Sequence, residues 1–372
     1  MIDVVITETI RDIDCKTWND CFPGELENYE TYRAIEESGI PGFSYGYARV
    51  LENGVCVAAS AFFLTEYALD TTVQGYWKTL FGAFKQFVPW MMTLKLLCIG
   101  SPETENAHLG FHPSVEEPCK PEMLGRLLRE TERFARSRGY WLLAVKDVPA
   151  RQRALWEEVA VPRGFTPLAS LPTAVLPIRF RSIDEYLASI SHATRKDMRR
   201  KLRNASKVRV ELKRDIHDVI GPIMEMYRDT KERSDWTFED LTPTYFLETL
   251  HQMGDRALCP IYYLEDRPIG FNLLFLDQTR MIDKFFCMDS AVGRTVNLYF
   301  KSWFVNVGIC IERGLSVYQS GQVGYANKLR LGSVLLPNWM YFKHRNPAIH
   351  MLLCWLSPIL EVNQDAVALG KV

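Results

Sequence analysis

The chain has 372 residues, of which 47% are hydrophobic and 24% charged, and its formal net charge is −1. That length exceeds one ordinary core and predicts two domains of a folded globular protein. The near-neutral balance excludes a chain built as a whole to hold a polyanion, so any anion site must come from local clustering. The nine cysteines are irregularly spaced and lack a Cys-x-x-Cys pair, which argues against a zinc ribbon and for a reducing compartment. The N-terminus carries acids early and no basic segment, so a cytoplasmic location is expected.

In chain order, residues 45–50 and 55–65 read as strands joined at Asn53-Gly54, a strong hairpin signal. Residues 96–100 read as a short buried strand. Residues 121–138 read as a helix, with Leu124, Leu127, Leu128 and Ala135 near helical spacing and Gly139 as its stop. A strand at 140–148, a helix at 152–159 and a strand at 174–178 follow. The apolar stretches 84–100 and 349–360 are either interrupted (Lys85, Pro89, Lys95) or shorter than the ~20 residues of a membrane span. Their Trp77, Trp90 and Trp355, with Lys78, Lys85 and Lys95, read either as core aromatics or as a peripheral membrane contact. His108 and His112 are flanked by Gly110 and Pro113, which favour a loop, so no metal site is expected.

Ser182-Ile-Asp-Glu185 is a capping box that opens a new helix. Arg195, Lys196, Arg199, Arg200, Lys201, Arg203 and Lys207 then form the strongest local charge in the chain. At helical spacing they make adjoining stripes that either are solvated or grip phosphates, with Met198 and Leu202 turned inward. Residues 261–264 and 269–276 read as a hairpin, and 281–288 as a strand carrying Asp283, a candidate proton acceptor. Gly293, Arg294, Thr295 and Asn297 lie between that strand and a helix start. They read either as an anion cradle or as a plain N-cap. A helix at 297–313 and a strand at 315–319 lead into Tyr318-Gln-Ser-Gly-Gln-Val-Gly-Tyr-Ala-Asn-Lys-Leu-Arg-Leu-Gly332. This glycine-rich turn delivers Lys328 to a sheet end, with Ser320, Gln322 and Tyr325 beside it to supply hydrogen bonds. The order of elements in the first half recurs in the second. The expected division is 1–180, 181–345 and an apolar C-terminal tail at 346–372.

That order resembles the GNAT acyltransferases, and its tandem repetition resembles the FemAB-like branch. The carrying residues are His192-Ala-Thr-Arg-Lys-Asp-Met-Arg-Arg-Lys-Leu-Arg203 and Ser320-Gly-Gln-Val-Gly-Tyr-Ala-Asn-Lys-Leu-Arg-Leu-Gly332, with Leu69-Asp70-Thr71 to Gly100-Ser101-Pro102 similar to one bacterial subgroup. The resemblance implies an α/β fold of two tandem GNAT-like domains with mixed, mostly antiparallel sheets flanked by helices. It implies a bacterial N-acyltransferase that moves an acyl group to the amine of a small molecule or peptide. Catalysis would fall to Lys328, Asp283 and Tyr325, and donor binding to Gly293, Arg294, Thr295 and Asn297. Substrate binding would fall to Arg195, Lys196, Arg199, Ser320 and Gln322. No permanently bound cofactor is expected; acyl-CoA is the leading co-substrate and aminoacyl-tRNA the alternative. The usual Gln/Arg-x-x-Gly-x-Gly/Ala pyrophosphate signature is replaced by Ser290-Ala-Val-Gly-Arg-Thr-Val-Asn297. The rival from another class is a non-catalytic protein that binds nucleic acid or another anion through the basic helix.

Overall fold

The structure is a computed structural model and describes residues 2–68, 93–106, 108–234 and 238–360. The segment from Leu69 through Trp77, Lys78, Lys85 and Trp90, and the tail beyond 360, lie outside the described residues. The chain forms two compact units. Unit 1 takes Met1–Leu171, Asp235–Leu241 and Pro337–Gln364, and unit 2 takes Pro172–Ser234 and Thr242–Leu336. The breaks expected at 180 and 345 follow the run of elements along the sequence, whereas the units part at 171 and 336. The reason is strand pairing. Residues 175–177 pair with Val317–Gln319 in unit 2, and residues 338–344 pair with Leu142–Pro149 in unit 1.

Both halves of the chain repeat one order. In the first it is the strand Ile2–Thr7, helices Cys15–Asp20 and Tyr29–Glu37, and strands Phe43–Glu52, Val55–Ala68 and Thr93–Ile99. The helix Lys120–Ser137, strand Leu142–Pro149, helix Arg153–Ala160 and strand Thr166–Pro177 complete it. In the second it is the strand Val208–Lys213, helices Ile220–Glu232 and Pro243–Met253, and strands Ala257–Leu264, Arg267–Leu276 and Arg280–Met288. The helix Leu298–Glu312, strand Val317–Gln319, helix Tyr325–Arg330 and strand Val334–His344 close it.

The local causes are readable. Asn53 (φ 51°) and Gly54 (φ 86°) both adopt the left-handed conformation that a two-residue hairpin turn demands. The helix Lys120–Ser137 buries Leu124, Leu127, Leu128 and Ala135 against strand residues such as Val50, Phe62, Ile99 and Val145. In unit 2, Leu298–Glu312 buries Trp303, Val307 and Cys310 with Leu274, Met281 and Tyr318. Residues 347–360 are a helix of unit 1 instead of a separate tail, because Ile349 and Leu353 pack against Phe63, Leu96, Cys98 and Leu142.

In each unit an antiparallel run of strands is followed by one short parallel pair. Unit 1 pairs Thr93–Ile99 with Leu142–Pro149, from Leu96↔Leu142 to Ile99↔Val145. Unit 2 pairs Arg280–Met288 with Val317–Gln319, from Arg280↔Val317 to Ile282↔Gln319. Pairing stops beyond those registers, leaving a fork in each unit.

Candidate functional site

Asp283 and Ser320 are the first residues past the fork of unit 2. A β-bulge at Leu273/Leu274 skips Lys284 in the register and re-aims the side chains that follow it. Asp283 accepts hydrogen bonds from Asn272 Nδ2 (2.8 Å), Asn306 Nδ2 (3.0 Å) and the Tyr318 hydroxyl (2.9 Å). Asn272 Oδ1 in turn accepts from the Tyr262 hydroxyl at 2.8 Å. Burial, and then the Asp283 charge, hold the Tyr262 and Tyr318 phenols well above their usual range, so both stay protonated as donors. Asn306 is fully buried, yet its Oδ1 has no partner among the described residues, and neither has the buried hydroxyl of Tyr299. The fork is thus lined by a polar network with acceptor capacity to spare. The sequence reading missed Asn272 and Asn306. The signal was present, since each is a lone amide in an otherwise apolar strand or helix.

On the other arm, Gly321 (φ 85°) and Gly324 (φ 72°) turn the chain back. Lys328 then falls on the helix Tyr325–Arg330 instead of on a turn. It is buried, and its ammonium donates to the Ser320 carbonyl. The Tyr325 hydroxyl donates to the Pro172 carbonyl at 2.7 Å, and the Ser320 amide and hydroxyl donate to the Ala174 carbonyl at 2.9 and 3.3 Å. Gln322 is half-buried within the turn. Ser320 and Lys328 are therefore bonded to one another, and Asp283 is bonded to Tyr318, two residues before Ser320.

The expected loop at 293–297 has a different structure. Residues Ser290–Thr295 form a short helix, and several amides of this segment are already bonded within the protein. Asp289 Oδ1 accepts from the Val292 amide (3.1 Å), and Asp229 accepts from the Ser290 amide (2.5 Å) and hydroxyl (3.0 Å). The Gly293 amide donates to the Asp289 carbonyl (2.7 Å) and the Asn297 amide to the Arg294 carbonyl (3.2 Å). Gly293 is needed for packing: a Cβ there would lie 2.7 Å from Met288 Sδ. The Thr295 hydroxyl turns back to the Val292 carbonyl, and Arg294 is exposed. Beside this helix start lies a cavity of about 400 Å³ lined by Glu225, Met226, Asp229, Arg267, Asp289 and Ser290 among others, with Lys328 not in its wall. Three carboxylates make it a poor place for a phosphate.

The basic run forms the helix His192–Asn204, capped by Ser191, with Met198 buried. Part of its charge is internally paired. Asp197 meets Arg200 (2.7 Å), Lys201 (3.2 Å) and Arg330 (2.6 Å), and these cations, Arg200 foremost, hold its carboxyl far below the usual range. Lys201 also lies over the Phe300 ring at 3.5 Å. Arg195 caps the preceding helix at the Leu187 and Ala188 carbonyls (3.4 and 3.2 Å). Lys196, Arg199, Arg203 and Lys207 are exposed and make no ion pair among the described residues.

The fork of unit 1 is filled by its own chain. Gly100 (φ 116°) and Lys146 are the first residues past its last paired register, and the Lys146 ammonium donates to the carbonyls of Ser101 (2.9 Å), Pro102 (3.3 Å) and Thr104 (2.7 Å). Burial alone would lower its pKa, but Asp147 at 3.3 Å and its other anionic neighbours outweigh that, so it is raised and the lysine stays charged. His108 meets the Tyr32 hydroxyl through Nδ1 and Glu27 through Nε2 (3.5 Å), and His112 bonds Ser114. Among the described residues no three His, Cys, Asp or Glu side chains are grouped to hold a metal. No described helix is long and apolar enough to cross a membrane.

Residues 125–356, well over half of the chain, match the FemAB-like family model, described as acting in peptidoglycan biosynthesis/recognition. The chain belongs to the FemAB-like family of GNAT-fold acyltransferases. The FemAB-like match spans residues of both units, including the second fork and the basic helix. Among solved structures the chain is similar to FemX (TM-score 0.60, 13% identity, 94% of this chain and 99% of that one). It is also similar to the C-terminal domain of a putative lysylphosphatidylglycerol synthetase from Agrobacterium fabrum (TM-score 0.53, 12%, 95% and 98%). A tandem GNAT protein from the clavulanic acid biosynthesis pathway follows (TM-score 0.51, 11%, 93% and 99%). These likenesses are of fold: two GNAT-like domains in tandem. By sequence, the chain is 22% identical over 337 residues to a putative 8-amino-7-oxononanoate synthase 2 of Mycobacterium tuberculosis. The match takes 87% of this chain but spans only 42% of that relative's length.

Proposed function

We propose that unit 2 of this FemAB-like transferase forms an amide bond by moving an aminoacyl group from tRNA to the amine of a peptide of the peptidoglycan kind. The amine nitrogen attacks the acyl carbon, a C–N bond forms and the ester C–O bond to the carrier breaks. The proton lost by the amine passes to the leaving oxygen. Lys328, buried at the fork, stabilises negative charge developing on the acyl oxygen. Tyr325 fixes the helix that carries Lys328. Asp283, engaged by three donors, acts by holding Tyr318 and Asn306 in place. Unit 1, with Lys146 occupying its fork, serves as scaffold.

The observation that carries the choice of donor is the contrast between two anion sites. The short helix found where a pyrophosphate loop was expected has its Ser290 and Val292 amides bonded to Asp229 and Asp289, beside a cavity that carries three carboxylates. The exposed cations Lys196, Arg199 and Arg203 stand unpaired along one helix, over about 10 Å at 1.5 Å per residue, a span suited to successive phosphates of a nucleic acid. Filter binding of tRNA at several salt concentrations tests this. Arg199→Glu with Arg203→Glu should weaken binding and flatten its salt dependence. Equal affinity in wild type and variant would remove the stripe from donor recognition. The second reading, acyl-CoA as donor, is favoured by the parallel-strand fork itself, and CoA competition for transfer would establish it. Salt-sensitive tRNA binding without any amide product would leave the non-catalytic reading.

A further inference from the structure

The helix Pro347–Leu360 (PAIHMLLCWLSPIL) contains no acidic residue, no lysine and no arginine. One side of it is committed to unit 1. Ile349 and Leu353 pack on the sheet, and His350 Nε2 and Cys354 Sγ reach the Thr166 hydroxyl at 3.3 and 3.2 Å. Ala348, Met351, Leu352 and Trp355, at i, i+3, i+4 and i+7, form the outward stripe. Met351 is 70%, Leu352 42% and Trp355 75% exposed. A single exposed apolar side chain is ordinary; a continuous stripe ending in tryptophan marks a surface that is covered in use.

Charge narrows the choice of what covers it. Between Glu312 and Glu361 the sequence has no aspartate or glutamate. Arg345, exposed just before the helix, makes no ion pair among the described residues; its guanidinium lies 4.7 Å from the centroid of the Trp141 ring, itself 46% exposed. A second copy packed helix on helix would offer Arg345 no carboxylate from residues 313–360. Anionic headgroups would pair it, and tryptophan is a side chain suited to the boundary between headgroups and acyl chains.

We propose that the helix Pro347–Leu360 is an interfacial anchor that lays Met351, Leu352 and Trp355 into an anionic lipid surface. Its 14 residues extend about 21 Å, short of the ~30 Å hydrocarbon core, so it lies in the plane of the surface. The inference is independent of which donor unit 2 uses.

Co-sedimentation of the full chain with phosphatidylcholine vesicles, with and without phosphatidylglycerol, tests it. The wild type should bind the mixed vesicles and bind pure phosphatidylcholine several-fold more weakly. Met351→Ser with Trp355→Ser should lower binding to mixed vesicles by about tenfold or more, as expected when two large apolar side chains no longer leave water. Arg345→Gln should erase most of the preference for the anionic lipid. Because these side chains are exposed, the variants should melt with the wild type, and a matched melting curve serves as the folding control. Failure of the wild type to bind either vesicle, or equal binding by the double-serine variant, overturns the proposal. So does a lipid-free dimer that the double-serine variant dissociates, which would assign the stripe to a second copy.

Discussion

The sharpest contrast in the molecule is between two lysines, one at each fork, Lys328 buried and Lys146 half-buried. Lys146→Met keeps the aliphatic stem but removes an ammonium that donates to three carbonyls and faces Asp147 at 3.3 Å. Breaking a fully buried pair costs about 3–5 kcal/mol, and the partial exposure of Lys146 puts this case at the lower end, about 3 kcal/mol. At about 2–4 °C per kcal/mol for a unit of this size, melting should fall by about 10 °C. Lys328→Met removes the bond to the Ser320 carbonyl, at about 1–3 kcal/mol. Its larger effect should be on the chemistry, with a rate lower by ~10²–10³. Calorimetry and initial rates of amide formation, both taken well below the melting of either variant, separate the two effects. Lys146→Met should be the less stable protein and the faster enzyme. If Lys328→Met turns over at the wild-type rate, or folded Lys146→Met loses as much rate as Lys328→Met, the assignment of transfer to unit 2 is wrong.

Burial, reinforced by the Glu239 charge, raises the Glu103 pKa from 4.5 to about 7, against the pull of the Ser101 and Tyr45 hydroxyls. A raised carboxyl pKa favours the protonated form in the fold, so this residue's contribution is fully present below pH 4.5 and is lost as pH rises through 7. The full difference is about 3 kcal/mol. Glu103→Gln should therefore raise the melting temperature at pH 8 and change it little at pH 4.5; the same shift at both would contradict the assignment. Gly293→Ala should cost about 1–3 kcal/mol by overpacking against Met288. Adding Met288→Ala should recover part of that loss in a thermal melt, and no recovery would mean that the glycine serves something other than this contact.

What was legible in the sequence was local. Asn53-Gly54 announced a hairpin, the leucines of Lys120–Ser137 announced a buried helix face, and Ser182 caps Glu185 as its spacing predicts. The strand and helix pair that open each repeat were not read, although Asp14 caps the first helix and Thr242, followed by Pro243, caps another. These elements are short and only partly apolar, so periodicity is weak in them. The exchange of strands between units was not legible, because pairings such as Asn338↔Pro149 join residues far apart in the chain and leave no local mark. At the site, Ser320 and Lys328 of the glycine-rich segment are bonded to one another. The short helix Ser290–Thr295 leaves little local mark, because Asp229, which accepts from its Ser290 amide, lies in a helix 61 residues earlier. A helix start looks open to an anion until the distant carboxylate that closes it is known.

Aminoacyl transfer by the purified protein is the most direct measurement. Wild type and Lys328→Met would each be mixed with tRNA charged with a labelled amino acid and a peptidoglycan-derived peptide bearing a free amine, and the peptide weighed by mass spectrometry. The wild type should add one amino-acid residue to the peptide as label leaves the tRNA, the variant should do so ~10²–10³ more slowly, and acyl-CoA in place of charged tRNA should give no product. A peptide of unchanged mass while the wild type consumes acyl-CoA, or equal transfer by both proteins, would contradict it.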